Sequence, residues 1–138
     1  FITSGGLGTM GFEVPAALGA QLGRPGELVW SICGDGGFQM TLQELATIRD
    51  EQAPVKFAII NNTYLGMVRQ WQQLFYDRRY SQIRSTGPDV VKLAEAYGAR
   101  GVRAEGADAL ETAVKEALKI EAPSLIEVPV GMMPSPFG

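Results

Sequence analysis

The sequence has 138 residues, of which 46% are hydrophobic and 20% charged, and its formal net charge is −3. This length suits one globular domain with a buried core. The negative charge and the lack of a basic cluster argue against nucleic acid and anionic membranes as partners. No run approaches the roughly eighteen apolar residues of a membrane span.

Alternating apolar patterns predict a series of helices and strands along the chain. Helices are predicted over residues 13–22, from Thr41 to the Ala53-Pro54 pair, and over residues 65–75, 89–97 and 107–120. Strands are predicted over residues 28–33, 55–60, 99–103 and 125–130. Strands that alternate with helices pair in parallel through right-handed crossovers. The predicted fold is therefore α/β: a doubly wound, mainly parallel sheet with helices on both faces.

The second helix carries its own start signal. Thr41-Leu42-Gln43-Glu44 matches a capping box, in which the side chains at both ends satisfy free backbone N–H groups. The predicted inner face of this helix consists of Leu42, Leu45, Ala46 and Ile48.

Cysteine and histidine usage restricts the chemistry of the chain. The single cysteine, Cys33, lies inside the first predicted strand, where core packing is expected and an apolar environment suppresses thiol reactivity. One cysteine cannot form an internal disulfide. The absence of histidine excludes His-based triads and the commonest zinc ligand.

Two short polar motifs follow the first two predicted strands. Gly34-Asp35-Gly36 follows the strand over residues 28–33, and Asn61-Asn62 follows the strand over residues 55–60, with twenty-four residues between the motifs. Parallel neighbouring strands would bring both motifs to the same edge of the sheet, where ligands of such folds bind. Each motif alone is also typical of an ordinary turn, and it is their joint placement that favours a binding site.

The residue types fit a metal-bound diphosphate. Mg²⁺ prefers six oxygen ligands and is commonly shared between one or two carboxylates and substrate phosphates. Asp35 offers an anionic oxygen and Asn62 a neutral amide oxygen. Glycine at positions 34, 36 and 37 allows backbone N–H groups to approach phosphate oxygens closely. A bridging cation is required, because Asp35 alone would repel a diphosphate.

Two further patterns have less specific meanings. Gly6-Leu7-Gly8-Thr9-Met10-Gly11 matches the dinucleotide fingerprint, but only four residues precede Gly5, too few for the strand that this fingerprint requires. In the predicted helix over residues 65–75, five apolar residues recur at the spacing of one helical face, and this periodicity alone favours a buried helix. They are Met67, Val68, Trp71, Leu74 and Phe75.

These residues resemble the diphosphate-binding domain of thiamine diphosphate enzymes, whose signature is Gly-Asp-Gly, some two dozen residues and Asn-Asn. The segments over residues 4–11, 15–17 and 61–72, continued by residues 74–76 and 79–81, are most similar to the catalytic subunit of acetolactate synthase. The likeness covers most of the chain up to about residue 100. It implies a thiamine diphosphate-binding domain over residues 1–138, and because the chain opens at Phe1 we expect a piece of a longer, multidomain protein with its first strand upstream.

The resemblance also implies roles for individual residues. Mg²⁺ would be held by the Asp35 carboxylate, the Asn62 side-chain oxygen and the Tyr64 main-chain carbonyl. Met10 would support the bent cofactor, and the Gly8 carbonyl would accept a hydrogen bond from its aminopyrimidine. The remaining implied cofactor contacts are Gly34, Gly36, Gly37, Gly66 and Met67. The implied substrate contacts are Met67 and Trp71.

For the longer protein the resemblance implies a transferase that decarboxylates pyruvate and joins the product to a second 2-keto acid, in branched-chain amino acid biosynthesis. The family's activating glutamate belongs to a separate N-terminal domain, usually of a neighbouring subunit, and no position here matches it. This chain alone is therefore expected to contain no catalytic residue and to be inactive. The resemblance further implies a homodimer or larger oligomer, FAD bound through another domain, and a cytoplasmic location.

Two departures from the family pattern keep alternatives open. Glu13 stands where acetolactate synthases usually carry a small residue, and the segment from Pro129 to Pro136 lacks their proline-rich tail. A second hypothesis is therefore the cofactor domain of another thiamine diphosphate-dependent 2-keto acid decarboxylase, oxidase or carboligase. A third, from a different class, is a non-catalytic doubly wound module that binds nucleotides or other proteins.

Overall fold

Four strands and six helices alternate along the chain in the computed structural model, which describes residues 1–131. The strands are β1 (Trp30–Gly34), β2 (Lys56–Asn61), β3 (Arg100–Arg103) and β4 (Ser124–Pro129). The helices are α1 (Glu13–Gly23), α2 (Asp35–Thr41), α3 (Leu45–Asp50), α4 (Gly66–Phe75), α5 (Val90–Ala96) and α6 (Ala107–Ala117). A single 3-10 turn, Leu42–Glu44, joins α2 to α3.

All described strands belong to one parallel sheet with the order β1-β2-β4-β3. Helices α1, α2, α3 and α5 pack on one face, where Val14, Phe57 and Leu125 are fully buried. Helix α6 covers the other face through Ala113 and Ala117, which pack with Ile126. The predicted fold class is confirmed, because apolar side chains on both faces of β4 require cover from both sides.

Strand β1 is less buried than its apolar sequence predicts. Leu28 precedes the strand and is 57% exposed, and Ile32, which lies on the sheet face that carries α6, is 75% exposed. Cys33, on the opposite face, is buried as predicted. β1 is therefore buried on one face, whereas β2 lies between two strands, because β1 is an edge strand among the described residues.

The predicted helix start at Thr41 is also wrong. The helix after β1 begins already at Asp35, and Thr41 is its last residue. The Thr41 hydroxyl makes no capping bond and instead donates a hydrogen bond to the Gly11 carbonyl oxygen at 2.9 Å. Of the predicted inner face, Leu45 and Ile48 are each 1% exposed and Leu42 packs partly buried against the same cluster, whereas Ala46 is only partly buried.

The amino end of the sheet is held by a buried lysine. Lys56 is 2% exposed, and its Nζ donates hydrogen bonds to the carbonyl oxygens of Ile120 at 2.7 Å and Ala122 at 2.6 Å. Burial lowers the pKa of this ammonium group. The turn that follows α6 is thereby attached to the start of β2.

Candidate functional site

The two motifs that contain Asp35 and Asn61 follow neighbouring parallel strands and lie at the same carboxyl edge of the sheet. Gly34 and Ile60 are register partners in the parallel pair of β1 and β2, so the next residues, Asp35 at the start of α2 and Asn61 at the end of β2, lie at the same edge of the sheet. Asp35 and Asn61 both line a cavity of about 540 Å³ at this edge. The edge is where parallel α/β sheets bind ligands.

The Gly-Asp-Gly motif forms the turn from strand to helix. Gly34 is extended, with φ −81° and ψ 155°, and Asp35, Gly36 and Gly37 form the first turn of α2. The N–H groups of a first helical turn have no partner within their helix. Gly36 and Gly37 therefore present free donors next to the Asp35 carboxylate.

The two glycines of this turn are closely surrounded. A Cβ atom at Gly36 would lie 2.8 Å from Leu65 Cδ2 and 3.2 Å from Met10 Cε. A Cβ atom at Gly37 would overlap the carboxylate of Glu13. The glycine-rich loop, the first turn of α2 and the segment after Asn62 thus converge on one place, and only residues without a side chain fit between them.

The turn that contains Asn62 is held by its own side chains. Asn61 Oδ1 accepts a hydrogen bond from the Thr63 N–H at 3.0 Å, and Asn62 Oδ1 accepts one from the Tyr64 N–H at 2.9 Å. Thr63 adopts a positive φ of 61°. An amide oxygen has two lone pairs, so Asn62 Oδ1 retains one for a cation.

Tyr64 lies in a short antiparallel bridge opposite Arg84. The two flanking hydrogen bonds are made by its neighbours, from the Leu65 N–H to the Ile83 carbonyl at 2.8 Å and from the Ser85 N–H to the Thr63 carbonyl at 2.9 Å. The main chain of Tyr64 is thus fixed without using its carbonyl oxygen in this bridge.

Two arginines surround the tyrosine ring. The guanidinium carbon of Arg69 lies 5.8 Å from the centroid of the Tyr64 ring and 5.1 Å from that of Tyr80, and the guanidinium carbon of Arg84 lies 5.6 Å from Tyr64. These cation–π contacts hold the loop after α4 against the Tyr64 segment. These contacts are not predictable from the sequence, since Tyr64, Tyr80 and Arg84 lie in loops that carry no periodic signal.

The glycine-rich loop has a compact local structure. The Gly8 N–H donates to the Ser4 carbonyl at 2.6 Å, and the Thr9 N–H donates to Ser4 Oγ at 2.7 Å. Gly8 has φ 61°, a conformation that favours glycine. Met10, which follows, is 43% exposed and reaches Gly36 with its terminal methyl group.

Helix α4 differs from the interpretation that periodicity alone favours. Its apolar face is exposed, with exposed fractions of 67% for Met67, 57% for Trp71 and 72% for Phe75. None of its residues is buried. The prediction of a core helix is therefore wrong for this chain, and Met67 and Trp71 remain predicted substrate contacts. Gly66 begins the helix next to Asn62, whose Nδ2 would lie 3.7 Å from a Cβ atom at Gly66.

Glu127 is a further residue of this edge that was not predicted from the sequence. This carboxylate is 5% exposed on β4, and its Oε1 accepts a hydrogen bond from Asn61 Nδ2 at 2.6 Å. Its Oε2 lies 3.5 Å from Nη1 of Arg103 on β3. An acidic residue within a predicted buried strand is the signal that identifies it, because a buried carboxylate needs partners.

Cys33 takes no part in these contacts. Burial, with a smaller contribution from the negative charge of Glu13, raises the pKa of its thiol to about 12, and a hydrogen bond with Ser31 partly offsets this. The thiol is protonated at neutral pH, which agrees with the predicted packing role.

The donor set fits a diphosphate-bound cation better than a self-contained metal centre. Over residues 1–131, His, Cys, Asp and Glu side chains nowhere converge in groups of three or more. A cation at Asp35 would therefore depend on amide, carbonyl and ligand oxygens, which is how Mg²⁺ is usually bound beside phosphates. Within the same residues, no helix has the length and apolarity needed to cross a bilayer.

Residues 1–128 match the family model described as thiamine pyrophosphate enzyme, C-terminal TPP binding domain. Over 137 residues the chain is 53% identical to acetolactate synthase of Mycobacterium bovis, covering 95% of this chain and 22% of that protein. Over 130 residues it is 50% identical to the mitochondrial acetolactate synthase catalytic subunit of Saccharomyces cerevisiae, covering 94% and 19%.

A solved structure has the same fold. The thiamine diphosphate-dependent 4-hydroxybenzoylformate decarboxylase of Rhodococcus jostii RHA1 superposes with a TM-score of 0.85 at 36% identity, over 91% of this chain and 24% of that one. The chain thus spans about a fifth to a quarter of the length of these relatives.

Proposed function

This chain belongs to the thiamine pyrophosphate enzyme family, as its C-terminal TPP binding domain, and we propose that it holds thiamine diphosphate through a bridging Mg²⁺. The observation that carries the proposal is the parallel register of Gly34 with Ile60, which brings Asp35 and the Asn61-Asn62 turn together. When bound, the cofactor supplies the carbanion chemistry of 2-keto acid decarboxylation, and the protein positions it.

Three oxygens of this chain are proposed to hold the cation. The Asp35 carboxylate supplies the charge, and Asn62 Oδ1 and the Tyr64 carbonyl supply neutral ligands. The hydrogen bond from the Tyr64 N–H to Asn62 Oδ1 at 2.9 Å supports this assignment, because it ties the two neutral ligands into one turn.

The diphosphate is proposed to bind at the first turn of α2. The free N–H groups of Gly36 and Gly37, with Gly34 extended before them, are suited to donate hydrogen bonds to phosphate oxygens. Met10, at the Gly36 wall of the site, is proposed to support the cofactor, with the Gly8 carbonyl and the Gly66-Met67 segment as further contacts.

For the longer protein we propose an acetolactate synthase, a transferase that converts pyruvate and a second 2-keto acid in branched-chain amino acid biosynthesis. Identity of 48–53% to proteins of that name supports it. The activating glutamate, and any FAD site, are proposed to lie in other domains or subunits, so this chain alone binds without turnover. An oligomeric, cytoplasmic enzyme is part of the same proposal, although the yeast relative is named as mitochondrial.

Calorimetric titration of the chain with thiamine diphosphate tests the cofactor site. Binding is expected only with Mg²⁺, and Asp35→Asn is expected to weaken it at least a hundredfold, on the order of 3 kcal/mol. Asp108→Asn is the matched control, because Asp108 is also acidic and lies in the first turn of a helix, α6, away from the site. Binding that is independent of Mg²⁺, or no binding, would instead favour a nucleotide-binding or interaction module.

A second function within the family is favoured by one specific finding, the 36% identity to a 4-hydroxybenzoylformate decarboxylase structure. The two candidates differ in product. The longer protein that contains this chain is incubated with pyruvate, and acetolactate is assayed against acetaldehyde. Formation of acetolactate is the expected result, and its absence would favour a decarboxylase.

A further inference from the structure

Glu127 is a buried carboxylate whose two oxygens are both engaged at the carboxyl edge of the sheet. It lies on β4 between the neighbouring strands, and it is in register with Ile59 of β2 and Arg103 of β3. Oε1 accepts the hydrogen bond from Asn61 Nδ2 at 2.6 Å, and Oε2 faces Arg103 Nη1 at 3.5 Å. Both carboxylate oxygens are thus held by side chains of the neighbouring strands.

Asn61 passes this restraint on to the turn. Its amide nitrogen donates to Glu127, while its amide oxygen accepts from the Thr63 N–H at 3.0 Å. Because one partner is an acceptor and the other a donor, the two bonds fix the orientation of the amide, with its nitrogen toward Glu127 and its oxygen toward Thr63. Asn62 lies between Asn61 and Thr63, which this hydrogen bond joins. Thr63 has φ 61°, a conformation that a residue with a branched side chain adopts only when its surroundings enforce it.

The location of the pair argues for a role beyond sheet stability. A buried carboxylate is expensive and is seldom the most stabilising choice at its position. Here Glu127 and Asn61 line the same cavity of about 540 Å³ as Asp35. Restraints on groups that surround metal ligands typically change metal affinity by about 10- to 100-fold when they are removed.

We infer that Glu127 is a positioning residue for the Mg²⁺ site: through Asn61 it fixes the turn that presents the Asn62 side-chain oxygen and the Tyr64 carbonyl. This inference rests on the proposed function, since it concerns the same cation. It assigns to the first asparagine of the motif a role that differs from that of the second. Asn61 orients the turn, and Asn62 binds the ion.

The test is Mg²⁺ titration of the chain by calorimetry at a fixed, saturating concentration of thiamine diphosphate. Glu127→Leu removes the acceptor and is expected to raise the Kd for Mg²⁺ at least tenfold. Glu127→Gln retains an oxygen that accepts from Asn61 and is expected to stay within about threefold of wild type. Comparing the two variants distinguishes the effect of losing the hydrogen bond from the effect of losing the negative charge.

A charge swap provides the second variant set. Asn61→Asp places a carboxylate against that of Glu127 and is expected to weaken Mg²⁺ binding as much as Glu127→Leu does. The double variant Asn61→Asp with Glu127→Gln restores a donor and an acceptor in exchanged positions and is expected to recover most of the affinity. A purely structural role would not produce recovery of metal affinity by the swap.

Ser124→Ala is the matched control, because Ser124 is a buried polar residue of the same strand at its opposite end. It is expected to leave the Kd for Mg²⁺ unchanged, whatever its effect on the melting temperature. If wild type binds Mg²⁺ normally and Glu127→Leu binds it with the same affinity, the inference is overturned while the proposed function stands. If wild type shows no Mg²⁺-dependent cofactor binding, the proposed function fails and the inference fails with it.

Discussion

Gly34 and Ile60 are register partners across β1 and β2, and this single relationship places Asp35 beside the Asn61-Asn62 turn. The two motifs are separated by twenty-four residues in sequence. In the parallel sheet they are neighbours, because α2 and α3 return the chain to the start of the adjacent strand. The candidate site follows from the topology as much as from the residue types.

Gly101→Ala is expected to destabilise the chain by about 1–3 kcal/mol through overpacking. A Cβ atom at Gly101 would lie 2.8 Å from Val91 Cα and 2.9 Å from the Val91 carbonyl oxygen, and backbone atoms of α5 cannot move aside as a side-chain end does. Gly19→Ala is the control, since nothing lies within 4 Å of its Cβ position in α1. Gly19→Ala is expected to increase the free energy of unfolding by about 1 kcal/mol. Chemical denaturation measures both, and a neutral Gly101→Ala would contradict the packing described for β3 and α5.

Trp71→Leu is expected to change the free energy of unfolding by no more than about 0.5 kcal/mol, because the side chain is 57% exposed. Phe57→Ala, at a position with 0% exposure, is the positive control and is expected to cost about 3–5 kcal/mol. In the proposed acetolactate synthase that contains this chain, Trp71→Leu is expected to alter the preference between pyruvate and 2-ketobutyrate. An unchanged preference would count against the proposed substrate contact, and a large loss of stability would revive the core interpretation.

Cys33 is expected to react with a thiol reagent such as DTNB only when the chain unfolds. Its folded pKa of about 12 lies above the ordinary value of 9.0, so the folded state holds the thiol proton more tightly than the unfolded state. This stabilising contribution is complete below pH 9 and is lost as the pH rises from about 9 toward 12. Denaturation curves of wild type and Cys33→Ala are expected to show a steeper alkaline loss in wild type. Equal slopes, or rapid labelling of the folded chain, would contradict the burial of the thiol.

Lys56 is expected to have the opposite pH dependence. Burial lowers its folded pKa below the ordinary value of 10.5, so the unfolded chain binds the proton more tightly. The charged form is disfavoured in the folded state, and this penalty is relieved as the pH rises from the lowered pKa toward 10.5. The stability difference between wild type and Lys56→Met is therefore expected to grow in favour of wild type as the pH approaches 10.5. Lys115→Met is the matched control, because it removes an exposed lysine. A stability difference between wild type and Lys56→Met that does not change with pH would contradict the prediction.

Glu13→Gln is expected to tighten binding of thiamine diphosphate with Mg²⁺ by about threefold to tenfold at low salt. The Glu13 carboxylate lies against Gly37, where the diphosphate is proposed to bind, and like charges at this distance repel. The gain is expected to shrink as the salt concentration rises, since screening weakens the repulsion. Titration at two ionic strengths measures it, and weaker binding in Glu13→Gln would show that the carboxylate supports the site.

The sequence alone was sufficient for the fold class and for the pairing of the two motifs. Apolar strands alternating with helices permit few arrangements, and parallel neighbours share their carboxyl edge. The glycines and Asp35 could be proposed as site residues because their chemistry suits a diphosphate-bound cation. Of the segment from Pro129 to Pro136, residues 132–136 lie outside the described residues. The difference of this segment from the proline-rich tail of acetolactate synthases is therefore described from the sequence only.

Only the tertiary structure decided which apolar surfaces are buried and which polar side chains meet. Periodicity shows that α4 has an apolar face, but whether Trp71 is covered depends on what lies opposite in space. The same holds for Glu127 and Asn61, which are 66 residues apart in sequence and within hydrogen-bonding distance across two strands. Local sequence patterns record a residue's neighbours along the chain, whereas burial and hydrogen bonding depend on strand order, which brings distant residues together.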